Sequence, residues 1–206
     1  MEQIKKFFAH KIFKILKWAF FVLVAFYIIL VIVRVFHMFD VEKTDKQVQV
    51  IHSTKITLDD VLGSNLPPDP GIEADETVEG IDANKNGIRD DVELAIFKAY
   101  PDSAKTRAAL LQYVLALQMG ITQNFINTDI ATEISREVSR GSDCIGRSIP
   151  EGESSFDEYL FLTEFARDTI FNTKERKNAE TSFFEKVRSY SDLEEVCDLD
   201  YTKLPN

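Results

Sequence analysis

Residues 103–125 read S-A-K-T-R-A-A-L-L-Q-Y-V-L-A-L-Q-M-G-I-T-Q-N-F, and this stretch decides the fold. Leu110, Val114, Leu117 and Ile121 recur at helical spacing on one stripe, with Leu111, Leu115 and Met119 on the next, so the apolar face is wide. A helix from Ala104 to about Phe125 with Ser103 as its cap is therefore expected at the centre of a core. Its neighbours read the same way. Asp90 to Tyr100 forms one helix stopped by Pro101, and Asp129 to Arg140 another that ends near Gly141. Phe156 to Phe171 turns Tyr159, Leu162, Ala166 and Ile170 inward, and Thr173 caps a last helix that reaches Tyr190. With no alternating strand pattern after residue 60, the expected fold is all-α: a small helical bundle over 81–206 with one core.

Upstream, 40–80 reads as a linker of short irregular elements. A strand or extended piece is expected at Val48 to Ile51, a short helix after Thr57, and a stiff turn-rich connector at S-N-L-P-P-D-P-G, Ser64 to Gly71. Further upstream, Trp18 to Val33 is an uncharged run of Phe, Val, Ile and Leu behind Lys5, Lys6, Lys11, Lys14 and Lys17. Val35, Phe36 and Phe39 extend it past Arg34, whose side chain can snorkel, and Ile12, Phe13, Ile15 and Leu16 extend it on the other side, which gives a membrane helix over 12–39. Lysines on one flank place 1–39 as a basic cytoplasmic tail and signal anchor, single-pass in a bacterial inner membrane, with the C-terminal domain in the periplasm. A cleaved signal peptide is the competing reading. It meets no small-x-small cleavage site in R-V-F-H-M-F-D, residues 34–40.

Charge divides at the same place. Residues 1–39 hold six Lys/Arg and one Asp/Glu, leaving 18 basic and 33 acidic residues and a formal charge of −15 beyond. Nucleic acid and anionic lipid head groups are poor partners for such a domain. Cys144 and Cys197 are the only cysteines, both on the exported side, where an oxidising compartment would pair them; two reduced core cysteines are the alternative.

One motif specifies chemistry. Residues 82–93 read D-A-N-K-N-G-I-R-D-D-V-E, with oxygens at Asp82, Asn84 and Asn86, a turn at Gly87, the Ile88 carbonyl, then Asp90 and Glu93. A hard cation needs six to eight oxygens, and a short loop supplies them only if alternate side chains point inward around a glycine. The loop resembles EF-hand-type loops, and more closely the lone D-x-[DN]-x-[DN]-G loops of thrombospondin type 3 repeats. That resemblance implies Ca2+ held by side chains of Asp82, Asn84, Asn86, Asp90 and Glu93 and by the backbone of Ile88. Arg89 at the eighth position argues against pairing with a second loop, and the Pro- and Gly-containing stretch 68–80 argues against an entering helix. The competing reading is that Asn86-Gly87 is a turn and that Asp90 to Glu93 is a helix capping box. Together with L-P-P-D-P, F-N-T-K-E-R and late cysteines, the loop also resembles a group of exported proteobacterial proteins over residues 66–200, which implies a compartment but no mechanism.

Catalytic patterns are lacking: the exported part has one histidine, His52, read as a solvated linker residue, and no G-x-S-x-G, H-E-x-x-H or phosphate loop. The expected function is a membrane-anchored periplasmic calcium-binding domain with a structural or interaction role, its partner another envelope protein. The alternative is a hydrolase that uses carboxylates near the loop.

Overall fold

A computed structural model describes residues 2–123, 127–150, 152, 154–191 and 195–205, with side chains from Phe13 onward. Lys5, Lys6, Lys11 and Ile12 thus have no described side chains, and Phe125 lies outside the described residues. The described chain is all helical: α1 (Glu2–Ser53), α2 (Leu58–Leu62), α3 (Asp90–Ala99), α4 (Ala104–Thr122), α5 (Thr128–Ser148), α6 (Ser155–Ile170) and α7 (Lys174–Phe184). Short 3-10 turns occupy Gly71–Asp75 and Tyr201–Lys203, and no strand occurs among the described residues. Two compact units result, Met1–Lys46 and Gln47–Asn206.

The first unit is helix alone. Its stretch from Phe13 is long and apolar enough to cross a membrane, and its side chains, Trp18, Phe20, Phe26 and Ile29 among them, are exposed. An apolar surface of that extent on a single helix calls for a non-aqueous environment.

In the second unit α4 is the hub, and it is enclosed further round than an amphipathic stripe requires. Every residue from Arg107 to Gly120 is buried, Gln112 and Gln118 included. Gln112 is paired at both ends, its Nε2 donating to the Val196 carbonyl at 2.7 Å and its Oε1 accepting from Asp198 N at 2.8 Å, whereas Gln118 Nε2 donates to the Glu79 carbonyl at 3.0 Å and its Oε1 has no hydrogen-bond partner among the described residues. Ser103 caps α4 by accepting from Thr106 N, as expected, and Tyr159, Leu162, Ala166 and Ile170 of α6 all face the core.

Four expectations are corrected. Val48 to Ile51 is the end of α1, not a strand: at helical spacing, Gln47 donates to Gln123 at 2.8 Å, Ile51 is buried, and His52 meets α5, so tertiary contacts override a β-branched pattern. α5 does not stop at Gly141 but continues to Ser148. Gly141 serves packing, since a Cβ there would lie 2.7 Å from Tyr113 Cα, so glycine lets α5 press directly on the α4 backbone. α7 ends at Phe184, well before Tyr190, because the chain must turn for the Tyr190 hydroxyl to reach Ser139 at 2.7 Å and Ser135 at 3.0 Å on α5. Finally, 40–80 is not a free linker. From Gln47 it belongs to the bundle, with Ile51, Ile56, Val61 and Ala74 buried, although the short helix α2 does follow Thr57.

Cys144 and Cys197 form a disulfide with Cα atoms 5.2 Å apart, tying the C-terminal segment to α5. That tie is reinforced beside the bridge, where Arg140 meets Glu137 and Asp198, each at 2.6 Å. His52 is likewise not a solvated residue. Its Nδ1 faces Glu137 Oε1 at 2.7 Å and its Nε2 faces Glu133 Oε2 at 3.1 Å, so the last turn of α1 is pinned to α5.

Candidate cation loop

The loop sits between the 68–80 segment and α3, held by two arginines that composition alone would put on the surface. Arg176 of α7, fully buried, donates to the carbonyls of Ala74, Thr77 and Val78 at 2.5, 2.9 and 3.2 Å and to Asp75 Oδ1 at 2.5 Å. A segment without regular structure has backbone oxygens to satisfy, and one planar guanidinium with five donors satisfies three of them. Arg89, also fully buried, donates to the carbonyls of Ile170 and Thr169 at the end of α6, where the helix dipole favours a cation, and pairs with Asp91 at 2.8 Å. The loop's eighth position is thereby committed to the bundle and not to a partner loop. Gly80, at φ 66°, admits the Arg89 side chain, because a Cβ there would fall 2.3 Å from Arg89 Cδ.

Within the loop the backbone winds through two left-handed residues, Lys85 at φ 60° and Gly87 at φ 88°. Asp82 fixes that winding: its two carboxylate oxygens accept from Asn86 N at 3.2 Å and Gly87 N at 2.9 Å. Asn84 Oδ1 accepts from Asn86 N at 3.3 Å, Asn86 Oδ1 accepts from Ile88 N at 2.9 Å, and Asp90 accepts from Ala83 N at 3.0 Å. Ile88 is fully buried.

The capping-box reading of Asp90 to Glu93 is corrected. The N-cap of α3 is Arg89, without a side-chain cap, and Asp90 is already helical. Asp90 is occupied in closing the loop onto Ala83, and Glu93 turns away from the helix start to accept from Asn84 Nδ2 at 3.0 Å.

Within the loop, Glu93 is the residue that hydrogen bonding does not explain. It is fully buried, and its second oxygen, Oε1, has no hydrogen-bond partner among the described residues. Burial pushes its carboxyl up to about 7, and the charges of Asp60 and Asp90 add to the rise against relief from the Asn84 and Asn86 amides. Burial likewise raises Asp90, opposed by the Ala83 N–H, with Asp82 and Asp91 adding to the rise. Asp60, which the sequence reading did not include, comes from α2 and is 4% exposed.

Hydrogen bonds thus link the expected ligands within the loop, with the carboxylates of Asp82 and Asp90 engaged with backbone N–H groups and that of Glu93 with the Asn84 side-chain amide. Among the described residues no three of His, Cys, Asp and Glu converge closely enough to hold a metal by themselves. The donor set nevertheless fits a hard cation in kind: it is all oxygen, carboxylates are joined by amides and a carbonyl, and one buried carboxylate oxygen is without a partner.

No family model, curated protein or solved structure matches the chain. The likeness to EF-hand-type loops rests on residues 82–93 alone.

Proposed function

We propose that the protein is a membrane-anchored calcium-binding domain of the bacterial cell envelope, with a structural or protein-interaction role. The observation that carries the cation is the unpartnered Oε1 of Glu93, a buried oxygen within a group of carboxylates that repel one another. Leaving a buried acceptor unsatisfied costs about 1 to 3 kcal/mol. A divalent cation would supply the missing partner and offset the repulsion at once, with Asp82, Asn84, Asn86, Asp90, Glu93 and the Ile88 carbonyl as its ligands.

Placement at the inner membrane with the bundle in the periplasm is supported by the apolar helix α1, by lysines ahead of its apolar run, and by the Cys144–Cys197 disulfide, which an oxidising compartment maintains. The carboxylate-hydrolase alternative gains no support from the geometry, since Glu93 and Asp90 are closed off from solvent, at 0% and 1% exposed. The test is the thermal unfolding of the full chain in detergent, in chelator and in calcium. The melting temperature rises with the logarithm of calcium concentration above the dissociation constant, expected on the order of 10⁻⁵ to 10⁻³ M. Identical melting in chelator and in millimolar calcium would reduce the loop to a turn.

A further inference from the structure

The twelve-residue loop does not close its own site. Asn84 Nδ2 reaches the Asn65 carbonyl at 2.9 Å, and Asn86 Nδ2 reaches Asp60 Oδ1 at 3.5 Å, so the α2 segment forms a wall opposite the loop. Asp60 is a buried carboxylate used on one side only. Its Oδ2 accepts from Thr57 N at 2.8 Å and Thr57 Oγ1 at 2.6 Å in the capping box of α2, whereas the contact of Oδ1 with Asn86 is at the outer limit of a hydrogen bond. Its charge is also felt by Glu93, the residue with the unpartnered oxygen. A polar cleft of about 510 Å³ lies beside this junction, its lining including Asp60, Asn65, Asn84 and Asn86 together with Lys55 and Lys85.

We propose that Asp60, contributed by α2 from outside the loop, is a fourth carboxylate of the cation site, so that a bound calcium ion holds the 57–66 segment against residues 82–93. The inference rests on the calcium reading above and adds a consequence to it: binding at the loop also orders the 57–66 segment, which a loop that ligates alone would leave unchanged.

The test uses the full chain in detergent, titrated separately with Ca2+ and with the luminescent ion Tb3+. Asp60→Asn keeps an acceptor oxygen for Thr57 but removes the charge, and Thr57→Ala breaks the capping box but keeps the carboxylate. Removing one ligand charge is expected to weaken Ca2+ binding about tenfold. Because Coulomb energy scales with the charge of the ion, Tb3+ then loses about thirtyfold. Thr57→Ala is expected to leave both affinities within about twofold. Unchanged affinity in Asp60→Asn, equal losses for the two ions, or an equal loss in Thr57→Ala would overturn the proposal. Hydrogen exchange on the unmodified chain gives an independent reading: calcium should protect the amides of 57–66 along with those of 82–93. Protection confined to 82–93 would overturn the role of Asp60 while leaving the loop a calcium site. No binding of either ion would remove both.

Discussion

Glu93→Gln separates a buried carboxylate waiting for a cation from one that is structurally content. In the folded, metal-free protein the Glu93 carboxyl is raised from the ordinary 4.5 to about 7, chiefly by burial. Folding thus favours its neutral form. The associated stability is fully present below pH 4.5 and is lost as pH rises through 7. A difference of about 2.5 pH units at 1.36 kcal/mol each makes the loss about 3 kcal/mol by pH 8. Glutamine mimics the neutral carboxyl and has no such loss. In chelator, urea unfolding of the full chain in detergent should place wild type and Glu93→Gln within about 1 kcal/mol of each other at pH 5. At pH 8 the variant should be the more stable by about 2 to 3 kcal/mol. Taking the difference between the two proteins cancels the shared titrating groups that do not feel the Glu93 charge. In millimolar calcium at pH 8 the gap should narrow by about 0.4 to 2.7 kcal/mol across the expected range of dissociation constants, because wild type gains binding free energy and the variant does not. A difference between the two that is the same at pH 5 and pH 8 would refute the reasoning, since it would mean that Glu93 ionises without penalty.

Replacing Cys144 and Cys197 together by Ser should cost about 4 kcal/mol in chain entropy for a closure across 53 residues, read by denaturant unfolding; a change under about 1 kcal/mol would mean that Gln112 and Arg140 hold the segment unaided. Arg176→Met removes the donors that Ala74, Thr77 and Val78 share and should cost about 3 kcal/mol or more. Limited proteolysis should then cut within 71–80, and an unchanged cleavage pattern would show that the segment holds itself. For topology, a reporter active only in the periplasm should work when fused behind the C-terminus, and reporter activity confined to the cytoplasmic orientation would reverse the assignment.

The helices were legible wherever a period of 3.6 was backed by a local end signal. Ser103 and Thr173 each accept the N–H three residues on, and Asp60 answers Thr57 in a reciprocal box, all within four residues of chain. The misread ends lie where a local signal served a distant contact. Gly141 carries the mark of a C-cap, yet what it accommodates is the Tyr113 backbone, 28 residues earlier in sequence. The alternation in Val48 to Ile51 resembles a strand only until Ile51 and His52 find their neighbours on other helices. Neither contact has a signature within a window of ten residues.

The loop divides the same way. Ligand spacing and the turn at Gly87 are local, and Asp82, Asn84 and Asn86 do organise one turn of backbone. What sets the electrostatics there is nonlocal. Arg89 and Arg176 are both 0% exposed, yet neither reaches Glu93 or Asp90 with a hydrogen bond, their donors going to carbonyls and to Asp91 and Asp75 instead. Two cations buried in the same bundle are thus spent on the scaffold around the loop, and the carboxylates inside it are left with amides and each other. In a structural ion-pair network the arginines would point inward, Glu93 would sit below its ordinary range, and no oxygen would be left over. The arrangement here is the reverse: both buried arginines are engaged with the scaffold, and Glu93 keeps one buried oxygen without a hydrogen-bond partner among the described residues, which is the observation behind the proposed cation site.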